Sequence, residues 1–229
     1  MARSHVAFGF EREISTEGVS SWNSNSKGKR TFDLAVGVVM LIAFAPVMLF
    51  LSLLLFACDR GPIFFKHTRI GRNGREFACL KFRTMVIDAD ERLEAMLARD
   101  PRLRQEWNAT RKLKKDPRIV PGIGALLRKS SLDELPQIFN VIRGDMTIVG
   151  PRPVVREELE YYGMARALYL QVLPGLTGPW QANERSDSSY RDRVERDVEY
   201  IQNGNMADDL RLVAKTATML LMQPGKGTY

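Results

Sequence analysis

The chain has 229 residues, 45% apolar and 27% charged, with a formal net charge of +7. That length and balance suit one sizeable globular domain, with or without a membrane element, and exclude a disordered chain. The basic excess admits nucleic acid, anionic lipid or phosphorylated small molecules as partners. Two cysteines, Cys58 and Cys79, and two histidines, His5 and His67, give neither a disulfide framework nor zinc-ligand spacing. The globular part therefore reads as cytoplasmic.

Met1 to Gly28 is rich in Ser, Asn and Gly and has no sustained period, so it reads as a mobile tail. Leu34 to Cys58 then runs 25 residues without a charge. A helix of that length, roughly 37 Å, is long enough to cross a bilayer. Two readings stay open. A single spanning anchor is the simpler. Pro46 at the centre and basic residues on both flanks (Lys27, Lys29 and Arg30; Arg60, Lys66, Arg69 and Arg72) favour instead a helix-break-helix that enters and returns on one side. The polar stretch before the run argues against a signal peptide.

Ile63 to Phe65 reads as a short strand. Asn73-Gly74 is a hairpin signal, with Phe77 to Phe82 as the returning strand. Asp88 to Leu113 reads as two charged surface helices divided at Pro101. Short helices are expected at Ile123–Arg128 and Ile138–Ile142, and a strand at Thr147–Val149. A longer helix is expected over Glu157–Val172, a rigid loop over Pro174–Pro179, and a further helix over Tyr190–Gln202. Asp208 to Met222 is amphipathic, which suits core packing and a lipid interface equally.

The segment richest in chemistry is Ser131-Leu132-Asp133-Glu134-Leu135-Pro136-Gln137. Ser131 and Glu134 fit a capping box, and acids favour the first turn of a helix. The same pair suits phosphoryl chemistry, with an ionised aspartate attacking phosphorus and its neighbour holding Mg²⁺. Lys81 and Arg83 alternate on a strand and so share a face, as a diphosphate would need. Arg152, between Pro151 and Pro153, is held in a rigid turn that fits a phosphate or a base edge. Arg185 and Asp197 read, taken alone, as a surface ion pair. No P-loop or G-x-G-x-x-G is present. The basic helices carry too many acids for a recognition helix, so no nucleic-acid partner is expected.

Together several stretches resemble the bacterial sugar transferase family, the monotopic phosphoglycosyl transferases. They are Lys29-Arg30-Thr31-Phe32-Asp33, the Pro46-containing apolar run, Lys81-Phe82-Arg83-Thr84-Met85, Ser131 to Asn140, Gly144-Asp145-Met146, Gly150 to Pro153, and Pro174 to Gly178. The short form is most similar to exopolysaccharide-type undecaprenyl-phosphate galactose phosphotransferases. The resemblance implies an α+β, mostly helical, monotopic membrane protein with a re-entrant helix-break-helix, interfacial amphipathic helices and a small sheet. Its parts would be a tail (1–28), a re-entrant helix (29–60) and a catalytic domain (61–229) on the cytoplasmic face of the bacterial inner membrane. The implied reaction moves a sugar-1-phosphate, galactose-1-phosphate by the nearest subgroup, from a UDP-sugar to undecaprenyl phosphate. UMP is released, and the product opens exopolysaccharide synthesis. Asp133 matches the nucleophile that forms a phosphoaspartyl-sugar intermediate, and Glu134 the Mg²⁺ ligand. Lys81, Arg185 and Asp197 match phosphate-handling and framework positions, Arg152 the arginine associated with uridine, and Arg128 a basic residue near the dyad.

Glucose-1-phosphate transfer and an inactive membrane-tethered scaffold are the alternatives. Inner-membrane lipids, a second copy of the chain and downstream glycosyltransferases are the further candidate partners. Two departures stand out. Ala45-Pro46 replaces the usual Ser-Pro, and Glu184 stands beside Arg185, where it is expected to alter sugar choice or lower activity.

Overall fold

The computed structural model describes residues 18–24, 26–110, 113, 116, 118–183 and 190–222. The described chain is mostly helical, with two two-stranded sheets and one long apolar helix near the N-terminus.

That helix, α1 (Lys27–Cys58), starts where the Ser26 side chain accepts the Lys29 N–H. The expected helix break is absent: Pro46 lies inside one continuous helix. Proline removes the N–H that would bond the Ile42 carbonyl, but its fixed φ is helical, so packing on either side can hold the turn together. Both halves are packed. Phe32, with Val36 and Met40, joins a core containing Val141, Met146, Ile148 and Tyr200. Met48, Leu51 and Leu55 join another, containing Phe82, Val120, Ile123 and Leu127. The opposite stripe, Val39, Ile42, Leu49, Phe50, Leu53 and Phe56, is 54–71% exposed along the whole helix.

Both ends of α1 are fastened to the same body. At the start, Lys29 Nζ donates to the Val149 carbonyl at 2.8 Å and to the Asp209 carboxylate, and Asp33 accepts from the Thr147 hydroxyl and the Ile148 N–H. At the far end, Arg83 donates to the Asp59 carboxylate at 2.5 Å and the Asp59 carbonyl at 2.9 Å. Residues 18–24, expected in the tail, belong to this body. The Trp22 indole donates to Asp209 at 2.9 Å, and the Asn23 amide to the Tyr200 carbonyl at 2.6 Å. Residues 1–17 lie outside the described residues.

The hairpin forms as Asn73-Gly74 predicts. Strands β1 (Phe64–Ile70) and β2 (Glu76–Phe82) pair antiparallel, with Phe65 opposite Lys81 and His67 opposite Cys79. Asn73 and Gly74 take the positive φ that such a turn needs. The charged segment is two helices, α2 (Ala89–Arg99) and α3 (Pro101–Thr110), divided at Pro101. Next come α4 (Gly124–Ser130), α5 (Gln137–Arg143) and β3 (Thr147–Val149).

The single helix expected over Glu157–Val172 is instead α6 (Arg156–Leu159), a 3₁₀ stretch (Glu160–Ala165) and α7 (Arg166–Tyr169). Gly163, at φ 50° and ψ −124°, breaks it. The Pro174–Pro179 loop contains a strand, β4 (Gly175–Thr177), parallel to β3, and leads into α8 (Pro179–Asn183). A Cβ on Gly175 would lie 2.2 Å from Gly150 N, and one on Gly178 2.1 Å from Gly150 O. The two loops therefore meet backbone to backbone, which only glycine permits. Helices α9 (Tyr190–Asn203) and α10 (Met206–Met222) complete the described chain. A third core, around Tyr162, Leu168, Tyr169, Val194 and Ile201, lies under the broken-helix segment and α9.

Candidate active site

The Asp133-Glu134 pair stands on a 3₁₀ turn, Leu132–Glu134, between α4 and α5. Ser131 does not form the expected capping box. It takes the left-handed conformation, φ 58° and ψ 15°, and makes no side-chain cap. There it closes α4, and the chain reverses at once into the turn. A left-handed serine is strained by about 1 kcal/mol or more. What holds it is packing: Leu132, Leu135 and Phe139 pack against the core that contains Leu51 and Leu55 of α1 with Phe82, Val120, Ile123 and Leu127. Asn140 fixes the next turn to the hairpin. Its Oδ1 accepts the Leu80 N–H at 2.9 Å and its Nδ2 donates to the Ala78 carbonyl at 2.8 Å.

That stitch sets Lys81 against the pair. Lys81 Nζ donates to Glu134 Oε1 at 2.7 Å and stands 4.0 Å from Asp133 Oδ2. The Asp133 side chain is 13% exposed and that of Glu134 34%. Burial pushes the Asp133 carboxyl up to about 6; Lys81 and Arg128 pull it down and Glu134 pushes it further up. At neutral pH the group is ionised, poorly hydrated and facing an ammonium, which suits a nucleophile better than a surface acid. Arg128, in the last turn of α4, is close enough to act on the Asp133 carboxyl.

Lys81, Glu134 and Arg152 line one open cavity, together with Arg69, Cys79, Gln137, Pro153, Gly175, Leu176 and Gln181. Arg152 also lies over the Trp180 ring, 5.5 Å from its centroid. Asp197 does not line this cavity. It is fully buried on α9, accepts the Tyr162 hydroxyl at 2.7 Å, and is pushed up to about 6 by burial against the pull of Arg193 and Arg152. It supports the Arg152 turn from behind and is no surface ion-pair partner.

Arg83 is a correction. Lys81 and Arg83 do share a strand face, but the Arg83 guanidinium is spent on Asp59, the Pro62 carbonyl at 2.6 Å and the Met85 carbonyl at 3.3 Å. It staples the end of α1 and has no reach left for a diphosphate. Arg185 and Glu184 lie outside the described residues.

The donor set can be tested against Mg²⁺. Among the described residues no group of three or more His, Cys, Asp or Glu could cage an ion. Two adjacent carboxylates beside a cationic cavity fit an ion that takes one or two carboxylates and completes its shell with water and phosphate oxygens. Sequence reading missed Arg69, Gln137 and Gln181 as lining residues. For Arg69 the signal was present: the hairpin register puts positions 65, 67 and 69 on the face of 81, 79 and 77.

A model of the family described as bacterial sugar transferase matches residues 24–223. The exopolysaccharide production protein ExoY of Rhizobium meliloti is 49% identical over 197 residues, covering 86% of this chain and 87% of that protein. The undecaprenyl-phosphate galactose phosphotransferase of Salmonella typhimurium is 45% identical over 197 residues; the match covers 86% of this chain and 41% of that longer protein. A more distant relative, the UDP-glucose:undecaprenyl-phosphate glucose-1-phosphate transferase of Xanthomonas campestris, is 35% identical over 214 residues, covering 90% of this chain and 41% of its own. With the family model spanning most of its length and these identities behind it, the chain belongs to the bacterial sugar transferase family.

Proposed function

We propose that this chain is a polyprenyl-phosphate phosphoglycosyl transferase, moving a sugar-1-phosphate from a UDP-sugar to undecaprenyl phosphate and releasing UMP. The observation that carries the reading is Lys81 set between Asp133 and Glu134, at 4.0 and 2.7 Å, on a cavity that Arg152 also lines. Asp133 Oδ attacks the phosphorus bearing the sugar. The P–O bond to UMP breaks, its electron pair leaves on UMP, and a phosphoaspartyl-sugar remains. An oxygen of the lipid phosphate then attacks the same phosphorus, the bond to Asp133 breaks, and the carboxylate is restored. Lys81 holds charge at the attacked phosphate, and Arg128 helps keep Asp133 ionised. Glu134 would hold Mg²⁺, which when bound neutralises charge on the diphosphate.

The membrane reading rests on α1. Its two ends are tied to one body and its outer stripe is apolar from Val39 to Phe56, which supports a helix lying in one leaflet with both ends on the same side. Because a UDP-sugar is made in the cytoplasm, that side is the cytoplasmic face of the inner membrane. Leu132 and Leu135 pack against the core that α1 enters through Met48, Leu51 and Leu55, which supports a dyad held close to the lipid phosphates. Galactose is the proposed sugar, on the name of the Salmonella relative, with exopolysaccharide synthesis as the setting on the name of ExoY.

Trapping the intermediate tests the mechanism. Purified protein mixed with UDP-galactose and Mg²⁺, without lipid acceptor, should gain one sugar-phosphate on the peptide carrying Asp133. A full burst of UMP with no modified peptide would contradict the covalent path.

A further inference from the structure

The cavity beside the dyad carries more positive charge than Lys81 and Arg152 supply. Its lining includes Arg69, Lys81 and Arg152 against one carboxylate, Glu134. Arg69 comes from β1. The register that sets Phe65 opposite Lys81 and His67 opposite Cys79 puts its side chain on the hairpin face of Cys79 and Lys81, which line the same cavity.

Arg69 is not a solvated strand residue. Its side chain is 13% exposed, with Nη1 on Glu158 Oε2 at 3.2 Å and Nη2 at 3.3 Å from His67 Nδ1. Glu158 is shared, since the same oxygen accepts the Val155 N–H at 3.2 Å. Burial and the nearby Arg152 both pull the Arg69 guanidinium below its ordinary range, so two guanidiniums crowd one wall. Burying guanidiniums together is costly unless an anion sits between them. Lys81 is committed to Glu134 and stands next to Asp133, whereas Arg69 makes its ion pair with Glu158.

We propose that Arg69 binds the phosphate of the departing nucleotide, dividing the charge work of the pocket in two. Lys81 serves the phosphorus that Asp133 attacks. Arg69 and Arg152 serve the phosphate that leaves with the broken P–O bond and gains its electron pair. A fixed cation aimed where charge develops is the form of stabilisation that removing one group exposes most clearly. This assignment rests on the transferase reading above.

The test uses the full chain in nanodiscs with Mg²⁺, a UDP-sugar and undecaprenyl phosphate, comparing wild type with Arg69→Gln, Arg69→Lys and Glu158→Gln. In a two-step path, kcat/KM for the donor reports the first step and kcat/KM for the acceptor the second. Arg69→Gln should lower donor kcat/KM by roughly 10²–10³-fold, weaken product inhibition by UMP, and leave acceptor kcat/KM within a few-fold. Arg69→Lys should recover part of the loss. Glu158→Gln, which can still accept from Arg69 and from the Val155 N–H, should stay close to wild type. Unchanged donor kcat/KM and UMP inhibition in Arg69→Gln would overturn the proposal, as would equal loss for donor and acceptor. Damage from Glu158→Gln as large as from Arg69→Gln would also overturn it, by making Arg69 a structural partner only. Absence of UMP release from the wild type would sink the transferase reading itself, a separate failure.

Discussion

Asp133 holds the least comfortable charge at the site. Burial raises its carboxyl from 3.8 to about 6, so the folded chain binds more protons than the unfolded chain between those values. The stability this group contributes is full below pH 4 and is lost as pH rises through 6. Asp133→Asn should therefore raise stability at pH 7.5, on the order of 1–3 kcal/mol, while abolishing turnover. The gain should vanish below pH 4, which denaturant melts at two pH values will show. If Asp133 is the nucleophile proposed above, donor kcat/KM of the wild type should fall about tenfold per pH unit below about 6, as its carboxylate takes up a proton. Ser131 offers a second check. Its left-handed backbone accepts glycine at little cost, whereas Ser131→Val should cost about 1–2 kcal/mol and displace the dyad. The residues of the dyad were legible in the sequence, but their geometry was not. A capping box and a pair of adjacent acids on a 3₁₀ turn share one sequence pattern, and the left-handed backbone at Ser131 that rules out the cap depends on packing the pattern does not encode.

At the scale of elements, local signals carried furthest. Asn73-Gly74 located the hairpin and Pro101 divided the two charged helices, because each constrains its own backbone. Pro46 misled: its effect depends on what packs around it, and here both halves of α1 are held. Gly163 was passed over inside a helical pattern that it interrupts. Arg83 was read for its strand face, but the face does not reveal that the end of α1 returns to meet it. Arg83→Gln should lower stability by roughly 3–5 kcal/mol, since it leaves Asp59 unpaired, while the folded fraction keeps its KM for the UDP-sugar. A large rise in KM in folded protein would restore Arg83 to the substrate. The contact of Gly150 with Gly175 and Gly178 joins two motifs that are distant in sequence. Gly178→Ala should cost folding and activity together, as a Cβ would stand 2.1 Å from the Gly150 carbonyl.

For the whole molecule, the proposed reaction asks how a lipid-bound acceptor and a soluble donor would meet at Asp133. Their meeting is explained if α1 lies in one leaflet with both ends returning to the body that carries the dyad. Cys58 is exposed at one end and Thr31 at the other, while Cys79 is buried. In sealed, oriented membrane vesicles, Cys58 and, in a Cys58→Ser background, Thr31→Cys should react with an impermeant maleimide from the same side. Labelling from opposite sides would make α1 a spanning helix. The most direct measurement is UMP release by the purified chain with Mg²⁺, undecaprenyl phosphate and a panel of UDP-sugars, beside Asp133→Ala. The account predicts release with one preferred sugar, galactose first, and none from the variant. Release that persists in a folded Asp133→Ala protein would contradict it.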